Sequence, residues 1–233
     1  MKKRMKKKIL ILVAALPFLF MACHNEEYYS LDKFWQSIAT VENPENNSAY
    51  FLVLDDSVRL WTAASNTNSR PKDGQRIIAN YTILNNQPEG SEYDHDVRMN
   101  SVYEVLTKDI FKITPEKQDS IGNDPIGIST MWIGSKSHYL NVEFIFHGRD
   151  KLHLVSLVSD DNKTYSDGKI HLEFRHNANN DTPDYRNAGI VSFDLRSLQD
   201  PANEMTLDIV VHVNEYGSSI EKEYNLKYNY GRP

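Results

Sequence analysis

The stretch YLNVEFIFHGRDKLHLVSLV, residues 139–158, decides how the second half of this chain is read. Leu140, Val142, Phe144 and Phe146 alternate with Tyr139, Asn141, Glu143 and Ile145, which places one apolar row on one face of an extended strand. A surface helix would instead bring apolar residues back every three or four positions. HGRDK, residues 147–151, separates two apolar runs and predicts a hairpin loop, with FIF and LHLVSLV pairing across it.

The same period runs outward from this stretch. Ile170, Leu172 and Phe174 alternate with His171, Glu173 and Arg175. Met205, Leu207, Ile209, Val211 and Val213 form another row, and Tyr224, Leu226, Tyr228 and Tyr230 a last one. With further runs at 126–133, 151–158 and 189–195, about seven strands predict an Ig-like antiparallel β-sandwich over residues 124–233. Upstream, strand-like runs occupy 35–42, 49–55, 57–63, 75–84 and 95–106, with a polar loop, ASNTNSRPKDG (64–74), after the third. Five strands in that arrangement predict a small OB-like barrel over residues 35–114. The segment TPEKQDSIGND, 114–124, loses apolar periodicity and marks the boundary. Alternation alone is equally satisfied by one larger sandwich, and either way the fold class is all-β.

Residues 1–8, MKKRMKKK, hold six basic residues, and Ile9–Ala22 hold no charge. That is the plan of a secretory signal peptide, and the apolar run is short of the roughly 20 residues of a spanning helix. Ala22-Cys23 then supplies the small residue and cysteine of a bacterial lipobox, although Phe20 stands where Leu is usual and Met21 where a small residue is usual. The reading is a signal peptide over 1–22, lipidation of Cys23 and a tether over 23–34. His24-Asn25-Glu26-Glu27 resembles the short acid-rich signal that sends some lipoproteins to the outer face of the outer membrane. The expected address is therefore the outer membrane, lipid-anchored on its cell-surface or periplasmic face.

Removing the leader leaves 20 basic against 32 acidic residues, a net charge of −12. Nucleic-acid binding neutralises phosphates with Lys and Arg, so this composition argues against a nucleic-acid partner. Once Cys23 is lipidated no thiol remains for a disulfide or a cysteine nucleophile.

The strings YFLVLDDSVRLW (50–61), GQRIIANYTIL (74–84), YLNVEFIFHG (139–148), LEFRHNANND (172–181) and GIVSFDL (189–195) resemble the NigD-like lipoprotein family. That resemblance implies an N-terminal OB-like barrel followed by a C-terminal β-sandwich. The family's name comes from a bacteriocin gene cluster in which an immunity role was proposed, and no catalytic residue or cofactor is carried over from it. Ser57 departs from the family's turn, where Gly is more usual.

Candidate chemistry is sparse. His153, His171 and His212 fall on the polar rows of their strands and are expected to be solvated. In Asp94-His95-Asp96 the imidazole points away from both carboxylates if the segment is a strand, so no metal site is expected there. DDNKTYSDG, 160–168, fails as a calcium loop, because position 6 is Tyr165 and position 12 is His171. No catalytic motif occurs, and neither an enzyme nor a cofactor is expected. Asp56-Ser57-Val58 and Asp119-Ser120-Ile121 match a short O-glycosylation pattern, making Ser57 and Ser120 candidate acceptors. Trp35, Trp61 and Trp132 are read first as core residues, with Trp61 on the strand 2–3 face where OB folds bind ligands. The functional expectation is a binding module of the cell envelope, with a glycan, a peptide or an envelope protein as partner. The competing readings are an accessory subunit of an outer-membrane complex and an extracytoplasmic hydrolase.

Overall fold

Five short runs with an apolar row can hide that row by closing on themselves, and in the computed structural model they do. The structure describes residues 30–43, 48–200, 202 and 206–231. The leader, Cys23 and the acidic run after it lie outside them. Strands β1 (Trp35–Glu42), β2 (Phe51–Leu54), β3 (Arg59–Ser65), β4 (Arg76–Asn86) and β5 (His95–Glu104) form a closed barrel in the order β1-β2-β3-β5-β4. Its pairs are antiparallel except β3 with β5. Val41 pairs with Leu52 and Leu52 with Leu60, and all three are fully buried, so one inward row crosses three strands.

The remaining strands make a sandwich. β6 (Leu106–Asp109), β7 (Phe111–Lys112), β8 (Gly127–Ile133), β9 (Tyr139–Gly148), β10 (Leu154–Ser159), β11 (Ile170–Asn177), β12 (Tyr185–Asp194), β13 (Thr206–Val213) and β14 (Lys222–Asn229) divide into two sheets. One has the order β14-β13-β11-β10-β7 and the other β6-β12-β9-β8. Between them Leu140, Val142, Phe144, Leu157, Leu172 and Phe174 form the centre of a continuous core. The all-β barrel-plus-sandwich architecture is thus the observed one.

Three details depart from the sequence reading. β9 and β10 do not pair: β9 lies between β8 and β12, and β10 between β11 and β7, so residues 149–153 cross from one sheet to the other. Both strands carry apolar rows that face the same core from opposite sides, and a hairpin would have left one row outside. β7·β10, β11·β13 and β6·β12 run parallel, because period-two patterning fixes a face and not a direction. β6 and β7, upstream of the 114–124 segment, pair with sandwich strands and stitch the connection into both sheets. That segment itself holds the short helix α1 (Gln118–Ile121), which ends at Gly122. A Cβ there would fall 2.9 Å from the Asn177 Cβ.

Candidate functional site

On β3 the fully buried Leu60 and the buried Thr62 point inward, so Arg59 and Trp61 must point outward. Pairing then sets Glu42, Phe51, Trp61 and Asp96 side by side across four strands of the barrel's outer wall. The Phe51 and Trp61 ring centroids are 4.7 Å apart, and Tyr93, from the 87–94 connection, lies 5.8 Å from Phe51 and 6.3 Å from Trp61. The Arg59 guanidinium stacks 3.9 Å from the centre of the Phe51 ring, and donates to Glu42 at 2.7 Å and Glu92 at 3.2 Å. The Tyr93 hydroxyl donates to Asp96 Oδ1 at 3.0 Å, and the Gln87 amide to Oδ2 at 2.6 Å. Burial and then the Asp96 bond push the Tyr93 hydroxyl up, so it stays a neutral donor. Half-buried ring faces beside oriented charged groups can stack on and hydrogen-bond a ligand.

None of the three tryptophans is among the buried core residues, a correction to the reading that placed them there. The barrel interior is filled instead by residues such as Ala39, Leu52, Leu60, Ile77, Tyr81 and Met99. Asp94, His95 and Asp96 diverge: Asp94 accepts the Arg59 backbone N–H, His95 bonds to Asn86, and Asp96 holds Tyr93 and Gln87. Among the described residues no group of three or more His, Cys, Asp or Glu could hold a metal ion.

The barrel meets the sandwich through a second arginine. Arg76, at the start of β4, is 1% exposed and pairs with Asp55 through two bonds of 2.7 and 3.0 Å. It also donates to Thr40 and, across the junction, to Asn141 Oδ1 on β9 at 3.1 Å, and its guanidinium stacks over Tyr139. Asn141 returns a bond from Nδ2 to Asp55 at 2.8 Å and accepts one from the Ser192 hydroxyl at 2.7 Å. Gly134 makes this approach possible, since a Cβ there would fall 2.4 Å from the Asp55 Cβ and 2.7 Å from its carbonyl oxygen. Beside the weld lies an open groove of about 350 Å³ lined by Ser37, Leu54, Asp56 and Trp132 among others. Sequence reasoning missed this junction, whose residues are far apart in the chain.

The histidines are not solvated as expected. At one end of β11, His176 Nε2 lies 2.9 Å from His153 Nδ1, and His153 Nε2 lies 3.2 Å from Asp181. His176 Nδ1 faces the Pro125 carbonyl oxygen at 3.2 Å. A carbonyl and a carboxylate, both acceptors, close this chain at its two ends. Burial pushes His176 down, against the bond to the Pro125 carbonyl oxygen, which favours its protonated form. Burial would raise Asp181, but backbone N–H groups of Arg149, Lys151 and Asp150, with the His153 ring, hold it well below the usual carboxylate range. Gly148 leaves room for this contact, because a Cβ would meet His153 Nε2 at 2.5 Å.

At the other end of β11, His171 Nδ1 lies 2.9 Å from His212 Nε2, and its Nε2 lies 2.9 Å from Asp167. The Tyr165 ring, from the 160–168 loop, stacks 3.5 Å over His171, so the loop covers a row the sequence assigned to solvent. Ser57 and Ser120 are both exposed. Ser57 has φ 75°, the left-handed region in which glycine is favoured, which accounts for the usual Gly of that turn. The Ser120 hydroxyl donates to the Lys117 carbonyl oxygen at 3.0 Å.

Two family models match in tandem. The NigD-like N-terminal OB domain covers residues 38–105 and the NigD-like C-terminal beta sandwich domain covers residues 109–228. Among solved structures, a protein of unknown function from Bacteroides vulgatus is 31% identical with a TM-score of 0.71, over 86% of this chain and 92% of that one. A protein of Parabacteroides distasonis described as toxin-related is 37% identical with a TM-score of 0.69, over 84% and 94%. A NigD-like immunity protein from Bacteroides caccae, 20% identical with a TM-score of 0.65 over 87% and 99%, shares the fold. No curated protein matches the chain.

Proposed function

Because the chain belongs to the NigD-like family, we propose that it is a lipid-anchored outer-membrane protein that acts as a non-catalytic binding module of the cell envelope. The observation that carries this reading is the Phe51–Trp61–Tyr93 cluster, which faces out of the barrel with Arg59 and Asp96 beside it. Aromatic side chains that could have been spent on a core instead present ring faces at the surface. The toxin-related and immunity descriptions of two structural neighbours support a peptide or protein ligand ahead of a glycan, with immunity to a bacteriocin-type peptide as the finer form.

In this reading Cys23 carries the acyl chains after cleavage behind Ala22, and each buried CH₂ contributes about 0.8 kcal/mol to membrane retention. Ser57, at a turn, and Ser120, in α1, are O-glycosylation acceptors, both exposed. Binding is tested by titrating residues 24–233 with bacteriocin-type peptides, purified envelope proteins and glycans in a calorimeter. Saturable binding that is lost in Trp61→Ala and retained in Trp35→Ala supports the reading. Binding unchanged in Trp61→Ala removes the face from it. The anchor is tested separately by palmitate labelling, which Cys23→Ala should abolish.

A further inference from the structure

Leu31 and Phe34, in the described end of the segment read as a tether, and Trp35, which opens β1, are 58%, 66% and 39% exposed. They are held in place: the Arg98 guanidinium donates to the Leu31 carbonyl oxygen at 3.2 Å, and the Lys33 ammonium sits 4.4 Å from the centre of the Trp35 ring. We propose that this edge of the barrel docks into the membrane interface, with Leu31, Phe34 and Trp35 at the headgroup–acyl boundary and Lys33 among the lipid phosphates. The inference rests on the anchor at Cys23 and extends it from a tether to a second, reversible contact.

Chain length chooses the occupant. Leu31 is eight positions from Cys23, and that stretch fully extended reaches at most about 28 Å. An acylated Cys23 thus keeps these side chains within one short tether of the lipid surface, which makes the second contact effectively intramolecular. Trp and Phe favour the membrane–water interface, and a lysine beside them matches anionic headgroups. Residues 31–35 are charge-balanced, Asp32 against Lys33, in a chain that is acidic as a whole, so an anionic surface repels them less than it repels the average of the protein.

The test uses the full, acylated chain carrying Trp61→Phe and Trp132→Phe, so that Trp35 is the reporter, in vesicles of phosphatidylethanolamine and phosphatidylglycerol. Bromine on the upper acyl carbons should quench Trp35 emission roughly twofold, as expected for an indole at the interface, and acrylamide should reach it less well than without vesicles. Protein that floats with the vesicles while Trp35 remains unquenched overturns the proposal and leaves the anchor standing. Protein that does not float at all overturns the anchor, and the docking with it. Phe34→Ser should weaken the quenching without changing flotation.

Discussion

Two arginines of the barrel make the same kinds of contact and differ mainly in how much water reaches them. Arg76 stacks on Tyr139, pairs with Asp55 and is 1% exposed, whereas Arg59 stacks on Phe51, pairs with Glu42 and Glu92 and keeps 28% of its side chain in water. Burial removes both the hydration of the ions and the screening between them, so Arg76 and Asp55 depend on each other while Arg59 and its partners do not. Arg76 ties the barrel to the sandwich, and Arg59 keeps water-exposed surface on the face proposed to bind a ligand.

The contrast is repeated in the two histidine pairs at the ends of β11. His153, beside Asp181, has a side chain 4% exposed with its carboxylate partner at 2%, whereas His171 pairs with an Asp167 that is 43% exposed. The first chain is structural throughout, and the second opens on to water at its acidic end.

Breaking the buried member of the first comparison should give the largest effect. Arg76→Met leaves Asp55 without its cation and should cost about 3–5 kcal/mol in urea denaturation, as expected when one partner of a buried ion pair is removed. Gly134→Ala forces the same contact apart sterically, and a loss of about 1–3 kcal/mol is expected from overpacking. Arg59→Met, at the exposed member, should cost less than about 1 kcal/mol, and molar salt should erase the difference from wild type. The same salt should leave the Arg76→Met deficit in place. Equal costs at the two arginines would sink the comparison.

Acid sharpens the second pairing. Asp181 is held below the carboxylate range when folded, so its contribution is complete above the ordinary range and disappears as pH falls through the folded value. The stability difference between wild type and Asp181→Asn should therefore be largest near neutrality and shrink in strong acid. Asp167, lowered chiefly by its bond to His171, should show the same trend at smaller amplitude, since water screens it. His176 is pushed down by burial, so the unfolded chain takes up its proton first and stability begins to fall below about pH 6.5. Imidazole titrations followed by NMR alongside denaturation at each pH would check all three.

Much of the fold was legible because period two marks a buried row regardless of what covers it. The barrel strands, and Leu140-Val142-Phe144, were found that way. The same signal says nothing of which strands neighbour each other, so β9 and β10 looked like a hairpin although they sit in opposite sheets. It also says nothing of what folds over the outer row. His171 and His212 alternate outward as expected, yet Tyr165 from a polar loop lies across them. An aromatic residue alone among Asp, Asn, Lys and Ser was the available hint. At the candidate face, Trp61 was legible from its position on the third strand, but Tyr93 was not, because it comes from a connection whose path alternation does not describe. Arg76, Asp55 and Asn141 meet from separations of 21 and 65 residues, and no local pattern announces a contact of that kind.

The claim that the Arg76 weld makes one body of barrel and sandwich is tested most directly by unfolding each domain under its own reporter. Two variants retain only Trp61 in the barrel or only Trp132 in the sandwich, and their emission is followed through urea. Coincident midpoints and slopes are predicted, with the two curves separating once Arg76→Met is added. Curves that already separate with Arg76 in place would contradict the account.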